Sequence, residues 1–130
     1  VKHLQQKIKE RQITVDADVD SSNCLATDED AENLIGRFRG NLIIDGEKAY
    51  EEDNWSTLRI GDLLLKSGGP CSRCQMVCIN QMTAERSKEP LTTLATYRNR
   101  KVPFGIHLFH DREYSGTTWI QIGDAVTPLG

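Results

Sequence analysis

Three of the four cysteines fall within eight residues, in the run Gly69-Pro70-Cys71-Ser72-Arg73-Cys74-Gln75-Met76-Val77-Cys78. Leu63-Leu64-Leu65 precedes this run, and Met76-Val77-Cys78-Ile79 closes it. Apolar, strand-forming residues therefore bracket a Gly-Pro turn, which predicts two strands meeting at a sheet rim. Thiols and a guanidinium placed at such a rim can meet a ligand.

The other constraints are broad. A chain of 130 residues is one ordinary domain, long enough to bury a single core. Its 38% hydrophobic and 27% charged residues fit a water-soluble protein, and a net charge of −3 gives no reason to expect nucleic acid as a partner. No apolar run approaches the roughly 18–20 residues that cross a bilayer. The first residues are polar and show no signal-peptide pattern, so a reducing, cytoplasmic setting is expected and the cysteines should be thiols. The chain opens at Val1 rather than at a methionine, as a piece of a longer protein would.

Residues 1–23 read as a mobile or loosely docked lead-in, basic at Lys2, Lys7, Lys9 and Arg11 and acidic at Asp16, Asp18 and Asp20. Leu4 and Ile8 could share a helix face there. The aspartates suit a solvated linker better than a cation site. Thr27 followed by Asp28-Glu29-Asp30 is a helix start, with Leu34 and Ile35 as its apolar face and Gly36 as its end. Arg37 and Arg39 then flank Phe38, a possible anion site, ahead of Leu42-Ile43-Ile44, which reads as a buried strand. Two Ile-Gly-Asp copies, at Ile60 and Ile122, each predict a strand–turn–strand unit. Pro90 suits a first helical position, with Leu91, Leu94, Ala95 and Arg98 on one face and Ser87 and Glu89 where capping is expected. Phe104 to Phe109 alternates as a strand. The expected fold is mostly β, a barrel with one or two short helices.

The cysteine cluster admits several chemistries. Cys71 and Cys74 have C-x-x-C spacing, and His107 and His110 could complete a zinc site. However, those histidines lie at odd separation on a strand and should face opposite ways. A thioredoxin-type pair needs a helix directly after the motif, whereas Gln75 to Ile79 favours a strand. A soft thiolate at Cys74 fits better, because cationic neighbours such as Arg73 and Arg39 lower a thiol pKa. Such a thiolate can ligate a soft metal or carry sulfane sulfur, while Ser72, Arg73 and backbone N–H groups hold a phosphate. Cys78 and Cys24 read as packed, inert cysteines.

In order along the chain stand Phe38-Arg39-Gly40-Asn41, Tyr50-Glu51-Glu52-Asp53-Asn54-Trp55, Arg59-Ile60-Gly61-Asp62 and Cys71-Ser72-Arg73-Cys74. Downstream come Lys88 to Arg98, Phe104-Gly105 and Ile122-Gly123-Asp124. Taken together, this order resembles the MOSC domain over about residues 36–130. Residues 1–35 then correspond to a partly flexible lead-in, the end of a MOSC N-terminal-like region. The run Cys74 to Ile79, the Arg100 to Gly105 segment and Leu108 to His110 are most similar to the C-terminal domain of eukaryotic molybdenum cofactor sulfurases. The mitochondrial amidoxime-reducing branch is the alternative.

The resemblance implies a MOSC-type β-barrel that binds molybdopterin-type molybdenum cofactor. It implies that Cys74 is the metal-ligating or sulfur-relaying thiol, the catalytic and molybdenum-contacting position. Arg39, Ser72 and Arg73 match cofactor-contacting positions, and Asn41 matches the motif asparagine. The sulfurase branch implies replacement of an oxo ligand on molybdenum by sulfur for xanthine dehydrogenase and aldehyde oxidase clients. The sulfur would come from an amino-terminal pyridoxal phosphate-dependent cysteine desulfurase domain that these residues do not include. The reductase branch implies reduction of N-hydroxylated compounds. A zinc-stabilised interaction domain is the non-enzymatic alternative.

Overall fold

The computed structural model describes residues 1–15, 31–111 and 118–130, with side chains only to Arg11 in the first segment. The chain forms two compact units, Val1–Ile43 with Ser72–Pro103 and Ile44–Cys71 with Phe104–Gly130. Asp16, Asp18, Asp20, Cys24 and the Thr27 cap lie outside the described residues.

Helices build the first unit: α1 (Lys2–Val15), α2 (Ala31–Phe38) and α3 (Leu91–Tyr97), with a single 3-10 turn at Gln75–Cys78. Three helices thus stand where one or two short ones were expected. In α1, Leu4, Ile8 and Arg11 recur at i, i+4 and i+7, so they share one face. Leu4 and Ile8 are fully or almost fully buried, and α1 packs on both α2 and α3. Residues 1–15 therefore form a docked helix, with Leu4 and Ile8 on the shared face that the sequence suggests. Polar residues conceal this face, since two aliphatic side chains are all that mark it. On the solvent side, Glu10 accepts hydrogen bonds from Gln6 at 2.9 Å and Lys7 at 3.1 Å.

Gly36 does not end α2. The helix continues to Phe38, because Leu34 and Phe38 at i, i+4 both gain burial. In α3 the Glu89 carboxylate caps the first turn, accepting from the Thr93 N–H at 3.1 Å. Its other oxygen accepts from Arg11 Nη1 at 2.6 Å, which ties α1 to the start of α3. Leu94 points inward and is fully buried, while His3 meets the Tyr97 ring edge-on at 5.8 Å.

The second unit carries a sheet of strands β1 (Thr57–Ile60), β2 (Leu63–Ser72), β3 (Pro103–His110) and β4 (Val126–Pro128), in the order β3-β2-β1-β4. β1 pairs antiparallel with β2 and with β4. Ile60 faces Leu63 across the two-residue Gly61-Asp62 turn, where Gly61 holds φ 54. A side chain there would be strained and would crowd the Asp124 carboxylate. Leu58, Ile60 and Leu65 form the core, with Trp55, Leu63, Leu108, Ile120 and Val126 packed against them. The two Ile-Gly-Asp copies meet, since the Gly61 N–H donates to the Ala125 carbonyl at 3.4 Å. Only the second half of the later copy becomes a strand, because its turn is closed by Asp124 accepting from the Gln121 N–H at 2.9 Å.

The antiparallel sheet and the alternating β3 follow the sequence expectation. Among the described residues the sheet is open, with β3 and β4 at its edges, and no barrel closes. Two local expectations fail. β2 runs straight through Gly69-Pro70 to Ser72, so no turn forms there. The β1 register ends at Thr57↔Lys66, so Pro70 lies beyond it and its missing N–H breaks no ladder bond on that side. Leu42-Ile43-Ile44 is irregular and exposed rather than a buried strand, for none of the four strands pairs with it.

Candidate functional site

The site is assembled at the C-terminal end of α2. Helices end most readily with glycine in the left-handed region, yet here Arg39 takes that place, with φ 52, and its N–H donates to the Gly36 carbonyl at 3.2 Å. A non-glycine residue pays steric strain in this conformation. The turn directs the chain so that Arg37, Phe38 and Arg39 all reach one open pocket of about 290 Å³. Ser72, the last residue of β2, contributes next, followed by Arg73 and Cys74. Met76 and Val77 of the 3-10 turn complete the wall.

Arg73 is fixed from two directions. Its Nη1 donates to the Phe38 carbonyl at 3.0 Å, and its guanidinium carbon lies 5.4 Å from the centroid of the Phe38 ring. The carbonyl belongs to the last turn of α2, where a cation also complements the helix dipole. The Arg73 backbone N–H donates to the Val102 carbonyl at 3.2 Å. Cys74 is extended, at φ −122 and ψ −177, and its carbonyl accepts from the Val77 N–H at 3.2 Å, which starts the 3-10 turn. Its side chain is exposed to solvent.

Four of the five residues singled out from the sequence, Arg39, Ser72, Arg73 and Cys74, therefore line one pocket. Asn41 is exposed and does not line it. Phe38, Met76 and Val77 were missed as wall residues. The strand expected over Met76 and Val77 does not form, and Gln75–Cys78 is instead a 3-10 turn that aims Met76 outward and Val77 and Cys78 inward. Cys71 is half-buried in β2 and stands outside the pocket wall. Cys78 is buried as expected, and burial pushes its thiol pKa up, with a backbone hydrogen bond from Leu91 and the nearby Arg37 charge opposing. His107 and His110 are exposed on β3. Among the described residues no group of three or more His, Cys, Asp or Glu side chains stands ready to hold a metal ion.

The pocket's donor set has a definite chemistry. Three guanidiniums and a hydroxyl surround it, and no carboxylate lines it. Arginine suits phosphate oxygens, and a thiolate suits soft metals or sulfur. An anionic ligand carrying both a phosphate and a soft or sulfur-bearing centre fits these residues.

Comparison with known proteins points the same way. The chain matches the MOSC domain over residues 8–127. It is 43% identical over 98 residues to the molybdenum cofactor sulfurase of Bos taurus, covering 75% of this chain and 11% of the relative. Against molybdenum cofactor sulfurase 2 of Culex quinquefasciatus the identity is 51% over 86 residues, covering 66% of this chain and 11% of the relative. The molybdenum cofactor sulfurase of Homo sapiens is 40% identical over 98 residues, 75% of this chain and 11% of the relative. The chain thus spans about 11% of the length of these curated relatives.

Proposed function

The chain belongs to the MOSC domain family, and from that premise we propose that it binds molybdenum cofactor and takes part in its sulfuration. The observation that supports this most directly is the convergence of Cys74, Arg39, Arg73 and Ser72 on one pocket. Relatives named molybdenum cofactor sulfurase supply the reaction class. In this reading the cofactor is the substrate, whose molybdenum exchanges an oxo ligand for sulfur. Arg39, Arg73 and Ser72 hold its phosphate by charge-assisted and hydroxyl hydrogen bonds. Cys74, exposed at the pocket wall, is the thiol that meets the metal or carries the incoming sulfur. Asn41 orders the loop after α2 rather than touching the ligand.

The sulfur donor would be a pyridoxal phosphate-dependent desulfurase domain elsewhere in the full-length protein. The recipients would be enzymes of the xanthine dehydrogenase and aldehyde oxidase type, in the cytoplasm. No helix among the described residues is long and apolar enough to cross a membrane.

The test is elemental analysis of the chain purified from cells that make molybdopterin, with cyanide-releasable sulfur assayed on the same sample. Molybdenum is expected, with labile sulfur when the desulfurase domain is produced in the same cells. Cys74→Ser should remove most of the labile sulfur or the metal contact, whereas Cys71→Ser should remove little. Equal losses would make the two cysteines a pair and overturn the assignment to Cys74. Zinc alone would restore a structural role for the motif. Molybdenum without labile sulfur, together with amidoxime reduction, would move the domain to the reductase branch.

A further inference from the structure

Two contacts of the Arg73 guanidinium come from one residue that carries no charge. The Phe38 backbone accepts from Nη1 at 3.0 Å, and the Phe38 ring lies under the guanidinium at 5.4 Å. Both contacts come from the same residue, which is itself only 6% exposed and anchored in the helical core. Arginine has a long, rotamer-rich side chain, and ordering it on ligand binding costs affinity. A guanidinium already clamped between a carbonyl and a ring face avoids much of that cost. The carbonyl contact has a second effect. The last carbonyls of α2 carry partial negative charge that would oppose an anion, and an N–H donated to one of them counters it.

The geometry points to Phe38 as a positioning residue for anion binding in this pocket, acting through the Arg73 guanidinium. The inference deepens the reading of the pocket as the cofactor's phosphate site and rests on it. Two features make the ring specific to this task. An aliphatic residue could fill the same core space beside Leu34, but it offers no π face. Tyrosine keeps that face, so it should preserve the clamp.

The experiment follows the arginine Nε–Hε resonances of the 130-residue chain by NMR while it is titrated with inorganic phosphate, with chloride as the control. In the wild type, Arg73 should give a resolved signal, and its side-chain protons should be shifted upfield by the Phe38 ring current. Phe38→Leu should collapse that signal onto the positions of exposed arginines and weaken phosphate binding about threefold to tenfold. Phe38→Tyr should retain both. An Arg73 signal unmoved by Phe38→Leu, with only thermal stability lowered, would overturn the proposal and leave Phe38 as core packing. Should Phe38→Leu fail to fold, the wild-type ring-current shift decides, and its absence would equally overturn it. If phosphate shifts no Arg73 signal in the wild type, the anion-site reading falls, and the ring-current result shows whether the clamp survives that failure.

Discussion

Arg39 carries a cost that a purely structural residue would not. At φ 52 glycine would be the easier choice, and Gly40 follows immediately without taking that role. Arg39→Gly should therefore raise stability by about 0.5–1 kcal/mol, since relief of left-handed strain outweighs the entropy that glycine adds to the unfolded chain. The same change should weaken anion binding, and a thermal melt with a phosphate titration on one sample reads both. A variant both less stable and equally able to bind would remove Arg39 from the site. Cys78 gives a second residue-scale expectation. Burial raises its pKa, so the folded state holds the thiol proton more tightly than the unfolded state does. That contribution is complete below the free-thiol value near about 8.5 and is lost as pH rises through the higher folded value. The wild type should lose stability above that pH faster than Cys78→Ala, whose curve lacks this component. Chemical denaturation across alkaline pH compares the two slopes. The C-x-x-C motif and its arginine were legible in the sequence because each is a chemical type. Phe38, Met76 and Val77 were not, because apolar wall residues differ from core residues only by where the backbone turns.

At the scale of elements, the informative contact is the one between α1 and α3. Glu89 is 5% exposed and serves two helices at once, capping α3 through Thr93 and accepting from Arg11 of α1. Glu89→Ala loses the cap and the charge-assisted bond together, and should cost about 2–3 kcal/mol. The cost stays below that of a fully buried pair because the Arg11 side chain keeps 37% exposure and can turn to water. Glu89→Gln retains an oxygen for Thr93 and should lose about half as much. Equal losses from the two variants would mean that the cap does nothing and the charge everything. The α3 start was legible from Pro90 with Ser87 and Glu89 before it. The Arg11 partner was not, since 78 residues separate the two and no local pattern reports a pairing of that range.

For the whole molecule, the chain passes between its two units three times, so neither unit is a continuous stretch of sequence. Local signals mark the β1–β2 hairpin, β3 and α3, whereas only two aliphatic side chains, Leu4 and Ile8, mark the docked face of residues 1–15. In the structure, α1 supplies Leu4, Ile8 and Arg11 to the unit that holds the pocket, although no pocket residue comes from α1. Deleting residues 1–15 would uncover the partners of two buried aliphatic side chains and leave the Glu89 carboxylate without its cation. Truncating a buried leucine or isoleucine to alanine alone costs about 2–5 kcal/mol, and loss of the pair with the ion contact approaches the whole stability of a small domain. The truncated chain should therefore lose ligand binding at Arg39, Ser72, Arg73 and Cys74, even though every one of those residues remains. Helical circular dichroism should fall by more than the deleted helix accounts for, because α2 and α3 lose the surface they pack on. Binding that survives the deletion would show that α2, the 3-10 turn and α3 hold the pocket without α1. The site would then depend only on the chain that follows α1.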